Sequence, residues 1–201
     1  MVHTSTSEVY GSAQRVPITE EHPLVGQSPY AASKIGADQC VESFVRSFGL
    51  RAVTVRPFNT YGPRQSARAV LVAIAVQALH RPEVRLGALH PTRDLNYVAD
   101  TVRGFLLAGE RDEALGRTLN LAQGKEISVG ELARKVIRAA GRDVPVVSDE
   151  ARVRPAASEV ERLCGDASRA REALGWAPAV SLDEGVAAVV AYVRARPERF
   201  R

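Results

Sequence analysis

Between Pro29 and Gly49 the chain carries apolar residues at Ile35, Ala37, Val41, Phe44, Val45 and Phe48, with proline at the first turn and glycine as the stop. That pattern predicts one long helix over Tyr30 to Phe48. On such a helix Tyr30 and Lys34 lie one turn apart, phenol beside ammonium. The pairing suits proton transfer, because a phenol is a poor base at neutral pH and a fixed cation nearby favours its ionised form. With five Tyr and only Lys34, Lys125 and Lys135 as lysines, chance places one such pair in a chain of this length with a probability of about 0.07. The neighbours of the pair therefore decide its meaning.

Ahead of the helix, Met1-Val2-His3-Thr4-Ser5-Thr6 is β-branched and polar at its end, which predicts a strand delivering side chains to a site at its C-terminal edge. A loop follows to about Gln27. Beyond the helix, Ala52 to Val55 reads as a buried strand ended by Arg56-Pro57. A helix is predicted over Ala67 to Leu79, short strands over Glu83 to Leu86 and Asp94 to Val98, a helix over Asp100 to Ala108 and a strand over Arg117 to Ala122. Ser128-Val129-Gly130-Glu131 and Ser181-Leu182-Asp183-Glu184 both match the capping box, and each precedes a strongly apolar helix. Between them come a strand over Val144 to Val147, an Arg-rich loop, and a short helix over Ala167 to Leu174 stopped by Gly175.

Several function classes fall away on composition. Hydrophobic residues at 45% and charged residues at 25% belong to a globular chain. There is no apolar run of about 18 residues and no basic and apolar leader, so the expectation is a cytoplasmic protein. The net charge of +4 rests on arginines scattered among acids, Glu131 with Arg134 and Arg169 with Glu172, which predicts solvated helix faces and no nucleic-acid partner. Cys40 and Cys164 are read as buried free thiols. His3, His22, His80 and His90 share no metal-ligand spacing, and no metal is expected.

Two motifs flank the Tyr-x-x-x-Lys pair: Ser5-Thr6-Ser7-Glu8-Val9-Tyr10-Gly11 before it and Arg56-Pro57-Phe58-Asn59-Thr60-Tyr61-Gly62-Pro63-Arg64-Gln65 after it. In that order they resemble the extended short-chain dehydrogenase/reductases that act on nucleotide sugars, the NAD-dependent epimerase/dehydratase family. From His3 to Asp100, with Gln65-Ser66-Ala67-Arg68-Ala69-Val70 and His90-Pro91-Thr92-Arg93-Asp94, the chain looks most like the UDP-N-acetylglucosamine 4,6-dehydratases of the legionaminic-acid type. More weakly, the likeness continues to the C-terminus. The resemblance implies an α/β fold, the C-terminal part of a Rossmann-like parallel sheet with a smaller mixed α/β substrate domain. Residues 1–80 would be the remainder of the NAD-binding domain, and 81–201 mainly the substrate-binding domain with segments returning to the Rossmann part.

The family's Gly-x-x-Gly-x-x-Gly turn, which holds the cofactor pyrophosphate at a helix N-terminus, is not in this sequence. The expectation is that Met1 falls at the strand bearing the catalytic hydroxyls and that the chain is the C-terminal part of an enzyme. Full-length relatives are homodimers, and this chain by itself is not expected to close that interface.

Removing water across C5 and C6 of a hexose requires the C4 hydroxyl to be oxidised first, because only then is the C5 proton acidic. By resemblance Tyr30 is the base for that hydroxyl, Lys34 favours its ionised form and binds the nicotinamide ribose, and Thr6 bonds the C4 oxygen. Glu8 takes the C5 proton and, with Ser7 or water, serves the departing C6 hydroxyl, since Ser7 stands where many relatives carry an aspartic acid. Pro57 and Phe58 run beside the nicotinamide of NAD. Asn59 and Arg93 hold the substrate diphosphate, and Arg154 lies near the nucleoside. Competing expectations are a nucleotide-sugar 4-epimerase or a UDP-glucuronate decarboxylase, which share the core motifs, and an inactive remnant or a non-catalytic protein that folds against a partner.

Overall fold

In the computed structural model, which describes residues 1–152 and 160–200, the chain opens with β1 (Val2–Thr4), α1 (Pro29–Phe48), β2 (Val53–Pro57), β3 (Asn59–Tyr61), α2 (Val70–His80), β4 (Val84–Leu86) and β5 (Thr92–Tyr97). It continues through α3 (Val98–Glu110), β6 (Thr118–Leu121), β7 (Glu126–Ser128), α4 (Val129–Ala139), β8 (Val146–Ser148), α5 (Ser168–Leu174) and α6 (Leu182–Arg194). Strands β1, β2 and β6 form a parallel sheet in the order β1-β2-β6, with Val2 opposite Val53 and Val55 opposite Leu119. Parallel neighbours need a crossover, and α1 supplies the one from β1 to β2.

Pleating divides this sheet into two unlike faces. Val53, Val55, Leu119 and Leu121 pack with Ala108, Ala170, Leu174 and Trp176 beneath α3 and α5. Thr54, Arg56 and Asn120 point the other way, and Arg56 bonds Asp38 on α1. The face that α1 covers is therefore polar, and the apolar residues that mark this helix in the sequence are not its buried side. Only Ala31 and Asp38 of α1 are buried, while Phe44 and Phe48 are 53% and 77% exposed. Cys40 shares that outward face and is exposed, not buried as expected, whereas Cys164 is half-buried; both are free thiols.

A second body forms where α2, α4 and α6 pack against one another and against Val84, Leu86 and Leu95. Both expected capping boxes are present: Ser128 and Ser181 each accept the backbone N–H of the glutamate three residues on, and Glu131 and Glu184 reach back to the cap. Helix α2 starts at Val70, later than expected, because Ser66 to Ala69 close a turn of their own. Two three-residue strands that no pattern announced, β3 and β7, flank β5 in a mixed sheet. Gly165 has no room for a side chain, since a Cβ there would lie 2.5 Å from Ala122 and 2.6 Å from the Phe58 ring. Among the described residues no helix is long and apolar enough to cross a membrane.

Candidate active site

At the carboxyl end of β1 the Ser5 N–H still bonds the Val55 carbonyl at 2.8 Å, and then the chain turns. Thr6 caps the short 3-10 turn Ser7–Tyr10, its hydroxyl oxygen accepting the Glu8 N–H at 3.2 Å. That leaves the Thr6 proton available to an acceptor outside the backbone. Ser7, Val9 and Tyr10 are buried and anchor the turn, so Glu8 is the member that faces solvent.

Helix α1 starts beside this turn. The Ser28 hydroxyl accepts the Ala31 N–H at 3.1 Å and Pro29 occupies the first turn, which sets Tyr30 at the helix mouth, 49% exposed. One turn on, the Lys34 ammonium donates to the Thr4 carbonyl at 2.9 Å. The lysine is thus fastened to the end of the strand that leads into the Thr6 turn.

Opposite, a cleft of ≈ 620 Å³ opens between the two bodies, and Glu8, Asn59, Gln65, Arg68, Arg93 and Arg152 are among its lining. Arg93 comes from β5 and is oriented by carbonyls, its Nη1 donating to Thr92 at 2.8 Å and to Val160 at 2.7 Å. Three guanidinium groups around one cleft suit an oxygen-rich anion. Of the expected site residues, the structure brings Glu8, Asn59 and Arg93 together in this cleft, with Ala31 beside Tyr30 at its rim. Thr6, Ser7, Tyr30 and Lys34 stand on the β1 side and do not line it. Pro57 is half-buried, and the Phe58 ring is enclosed with Val9, Tyr10, Ile18, Ala122 and Leu163. Arg154 lies outside the described residues.

Beneath the helix mouth runs a buried polar network to which sequence reasoning assigned no role. Asp38 accepts from Ser5 Oγ at 2.8 Å and from Arg56 Nε and Nη2 at 3.1 and 2.9 Å, with His3 Nε2 2.8 Å from its other oxygen. Arg56 Nη1 donates to the Tyr10 hydroxyl, which donates in turn to Asn120 Oδ1 at 2.7 Å. Burial pushes the Tyr10 phenol up, more than the neighbouring Arg56 guanidinium draws it down, so Tyr10 is a neutral donor here. Because Asp38 lies one turn beyond Lys34, the network ties α1, β1 and β2 at one point.

A second unassigned clamp sits behind Arg93. The Asp94 carboxylate accepts the N–H groups of Gln123, Gly124 and Gly165 at 2.8, 3.0 and 3.0 Å. Burial nevertheless pushes Asp94 up to about 6. Burial likewise pushes Cys164 up to about 11, which makes it a neutral thiol and not a nucleophile.

Comparison with known proteins supplies the context for this geometry. Residues 1–189 match the family model described as GDP-mannose 4,6 dehydratase. The chain is 35% identical over 200 residues to a UDP-glucose 4-epimerase of Mycolicibacterium smegmatis, covering 96% of this chain and 62% of that protein. It is 35% identical over 196 residues to a dTDP-glucose 4,6-dehydratase of Streptomyces griseus, covering 95% and 57%. Among solved structures, the dTDP-glucose 4,6-dehydratase of Bacillus anthracis in complex with NAD superposes with a TM-score of 0.87 at 25% identity, over 98% of this chain and 62% of that one. The chain spans about six-tenths of the length of the curated relatives it matches.

Proposed function

The chain belongs to the extended short-chain dehydrogenase/reductase family of nucleotide-sugar epimerases and dehydratases, and on that premise we propose that it carries the catalytic half of a nucleotide-sugar 4,6-dehydratase acting on a UDP-N-acetylhexosamine in the cytoplasm. The observation that carries this reading is the union in one cleft of the Glu8 carboxylate with Asn59 and Arg93, beside a helix mouth bearing Tyr30 and Lys34.

The described residues fit the nicotinamide and ribose end of NAD. Tyr30 is half-exposed, Lys34 is fixed on the Thr4 carbonyl with ammonium protons to spare, and Pro57 is half-buried, whereas the Phe58 ring is enclosed and backs the site without lining it. Bound NAD would supply the hydride acceptor and later the donor. Everything else falls to the chain. Tyr30 takes the proton of the C4 hydroxyl, and Thr6, whose oxygen is committed to the Glu8 N–H, donates its own proton to that C4 oxygen. Glu8 removes the C5 proton and, with Ser7 or water, delivers a proton to the departing C6 hydroxyl. In this scheme Asn59 and Arg93 hold the diphosphate, and Arg154, outside the described residues, is assigned to the nucleoside.

The same reading makes residues 1–80 the remainder of the NAD-binding domain and 81–201 mainly the substrate domain, with returning segments. In support of the returning segments, β6 pairs with β2, α3 packs on β1 and β2, and α5 packs on β6; α2, although within residues 1–80, packs with α4 and α6. A 4-epimerase is the second reading, favoured by the Mycolicibacterium relative; it needs Tyr30, Lys34 and Thr6 but no base at C5. The test is mass spectrometry of UDP-N-acetylglucosamine incubated with NAD and the chain, alone and together with the N-terminal segment of the Streptomyces relative. Loss of water, abolished by Tyr30→Phe and by Glu8→Gln, is the expected result. Conversion at unchanged mass that survives Glu8→Gln would establish the epimerase, and no conversion in any mixture would overturn both.

A further inference from the structure

We propose that the groove along α4 is a docking surface for an acidic amphipathic helix of a partner protein, whose carboxylates meet Arg134, Arg138 and Arg142 and whose apolar side packs on Ile127, Val144 and Val180.

This groove is a second concavity, sharing only Leu95 with the cleft that holds Glu8 and Arg93. Helix α4, strand β7 and the segments 142–146 and 178–183 line it. Its wall at 178–183 is built and held. The Ala179 and Val180 N–H groups donate to Asp100 at 3.0 and 2.9 Å, and Gln123 Nε2 donates to the Val180 carbonyl at 3.2 Å.

Charge in the groove is unevenly committed. Glu131 is taken up by the Ser128 cap, Glu126 by Arg162 and Thr92, and Asp183 by Lys135. By contrast, Arg138 and Arg142 are exposed and form no ion pair among the described residues, and Arg134 faces only the Glu131 carboxylate that the cap already holds. Lys125 is exposed as well, against Asp143 as the one acid of the lining without a partner among the described residues. A basic residue in the last turn suits the helix dipole, which accounts for Arg138 alone. Beside these cations Ile127, Val144, Val146, Val180 and Leu182 are left half-buried. A face that served only to be hydrated has no use for a concave, part-apolar flank.

The same lining selects the occupant. At ≈ 1210 Å³ the groove is about twice the size of the neighbouring cleft and exceeds the usual range of small-molecule pockets, which ends at about 1,000 Å³. Among the described residues no aromatic side chain lines it, so a nucleotide or a single strand has nothing on which to stack its bases. Glu131, Asp143 and Asp183 would also repel an unbroken run of phosphates. A helix that mixes carboxylates with aliphatic side chains meets both halves of the lining. Carboxylates four residues apart on it recur every ~6 Å, the rise that separates Arg134 from Arg138 on α4.

The experiment is fluorescence anisotropy of a labelled, helix-forming peptide of about 18 residues, with glutamates at every fourth position and leucines on the adjacent face, titrated with the chain. A dissociation constant on the order of 10–100 μM at low salt is expected. Glutamine in place of the glutamates should weaken it at least tenfold, and so should the variant Arg134→Glu, Arg138→Glu, Arg142→Glu. That variant should in turn bind the peptide with lysines for glutamates, which the wild type rejects, and this gain shows that the variant is folded. In 15N-labelled wild type the acidic peptide should move amide resonances of α4, 142–146 and 178–183. No binding up to ~1 mM, equal affinity for the glutamine peptide, or shifts confined to other parts of the chain would overturn the proposal. A 20-nucleotide oligothymidylate bound more tightly than the acidic peptide would also overturn it, and would assign the arginines to nucleic acid.

Discussion

Replacing Asp38 by alanine should destabilise the fold strongly. Asp38 and Arg56 have side chains only 4% and 7% exposed, and the carboxylate takes both Nε and Nη2 of the guanidinium at 3.1 and 2.9 Å. Removing the carboxylate strands a buried guanidinium, and breaking a buried pair from one side costs about 3–5 kcal/mol. Ser5 and His3 lose their acceptor as well. At about 2–4 °C per kcal/mol for a chain of this size, the melting temperature should fall by roughly 10 °C. The assay is urea and thermal unfolding of Asp38→Ala, Arg56→Met and Asp38→Leu with Arg56→Met. Since an apolar pair of similar volume is close to neutral in place of a buried ion pair, the double variant should regain at least about 2 kcal/mol of the loss. The Arg46 and Glu42 pair on the outward face, 77% and 47% exposed, provides the contrast, and Glu42→Ala should cost under about 1 kcal/mol. A cost for Asp38→Ala as small as that, or no coupling in the cycle, would refute the claim that this pair fastens α1 to the sheet.

Two further outcomes follow from packing and charge. Burial holds Asp94 at about 6 in the fold, above the ordinary carboxylate value near 3.9. Its contribution of about 3 kcal/mol is therefore fully present below about pH 4 and lost as pH rises through 6; urea midpoints between pH 4 and 7 should show that loss, and Asp94→Asn should flatten it, an unchanged profile in the variant counting against the assignment. Gly165→Ala should destabilise by about 1–3 kcal/mol through its clash with Ala122 and Phe58, whereas Gly36→Ala, in mid-helix with open space around it, should stabilise by up to about 1 kcal/mol; thermal melts giving both variants the same sign would refute the packing argument.

What the sequence made legible follows from which forces leave a periodic trace. Apolar repeats and caps do, so α1, α4 and α6 stand within a residue or two of the positions that Pro29 with Gly49, Ser128 with Glu131, and Ser181 with Glu184 announce. Motif order likewise brought Glu8, Asn59 and Arg93 to one cleft. Strands of three residues such as β3 and β7 carry too few alternations to register, and they exist because β5 lies between them. The polar face of the β1-β2-β6 sheet was illegible for a different reason. A helix that buries a carboxylate against an arginine, a histidine and a serine has the same letters as one that shows them to water, so nothing in the sequence marks Asp38 as buried or Phe44 as exposed. Partners 18 and more residues apart, His3, Ser5 and Arg56 around Asp38, are joined only by the fold. The exchange has a consequence for the site. Apolar contacts are non-directional and would let α1 slide or roll on the sheet, whereas a carboxylate gripped by Arg56 and Ser5 fixes both the height and the rotation of the helix. Tyr30 and Lys34 are carried on that same helix, and Thr6 and Glu8 on the turn that follows Ser5, so the geometry that the proposed proton transfer demands is held by the network that periodicity could not reveal.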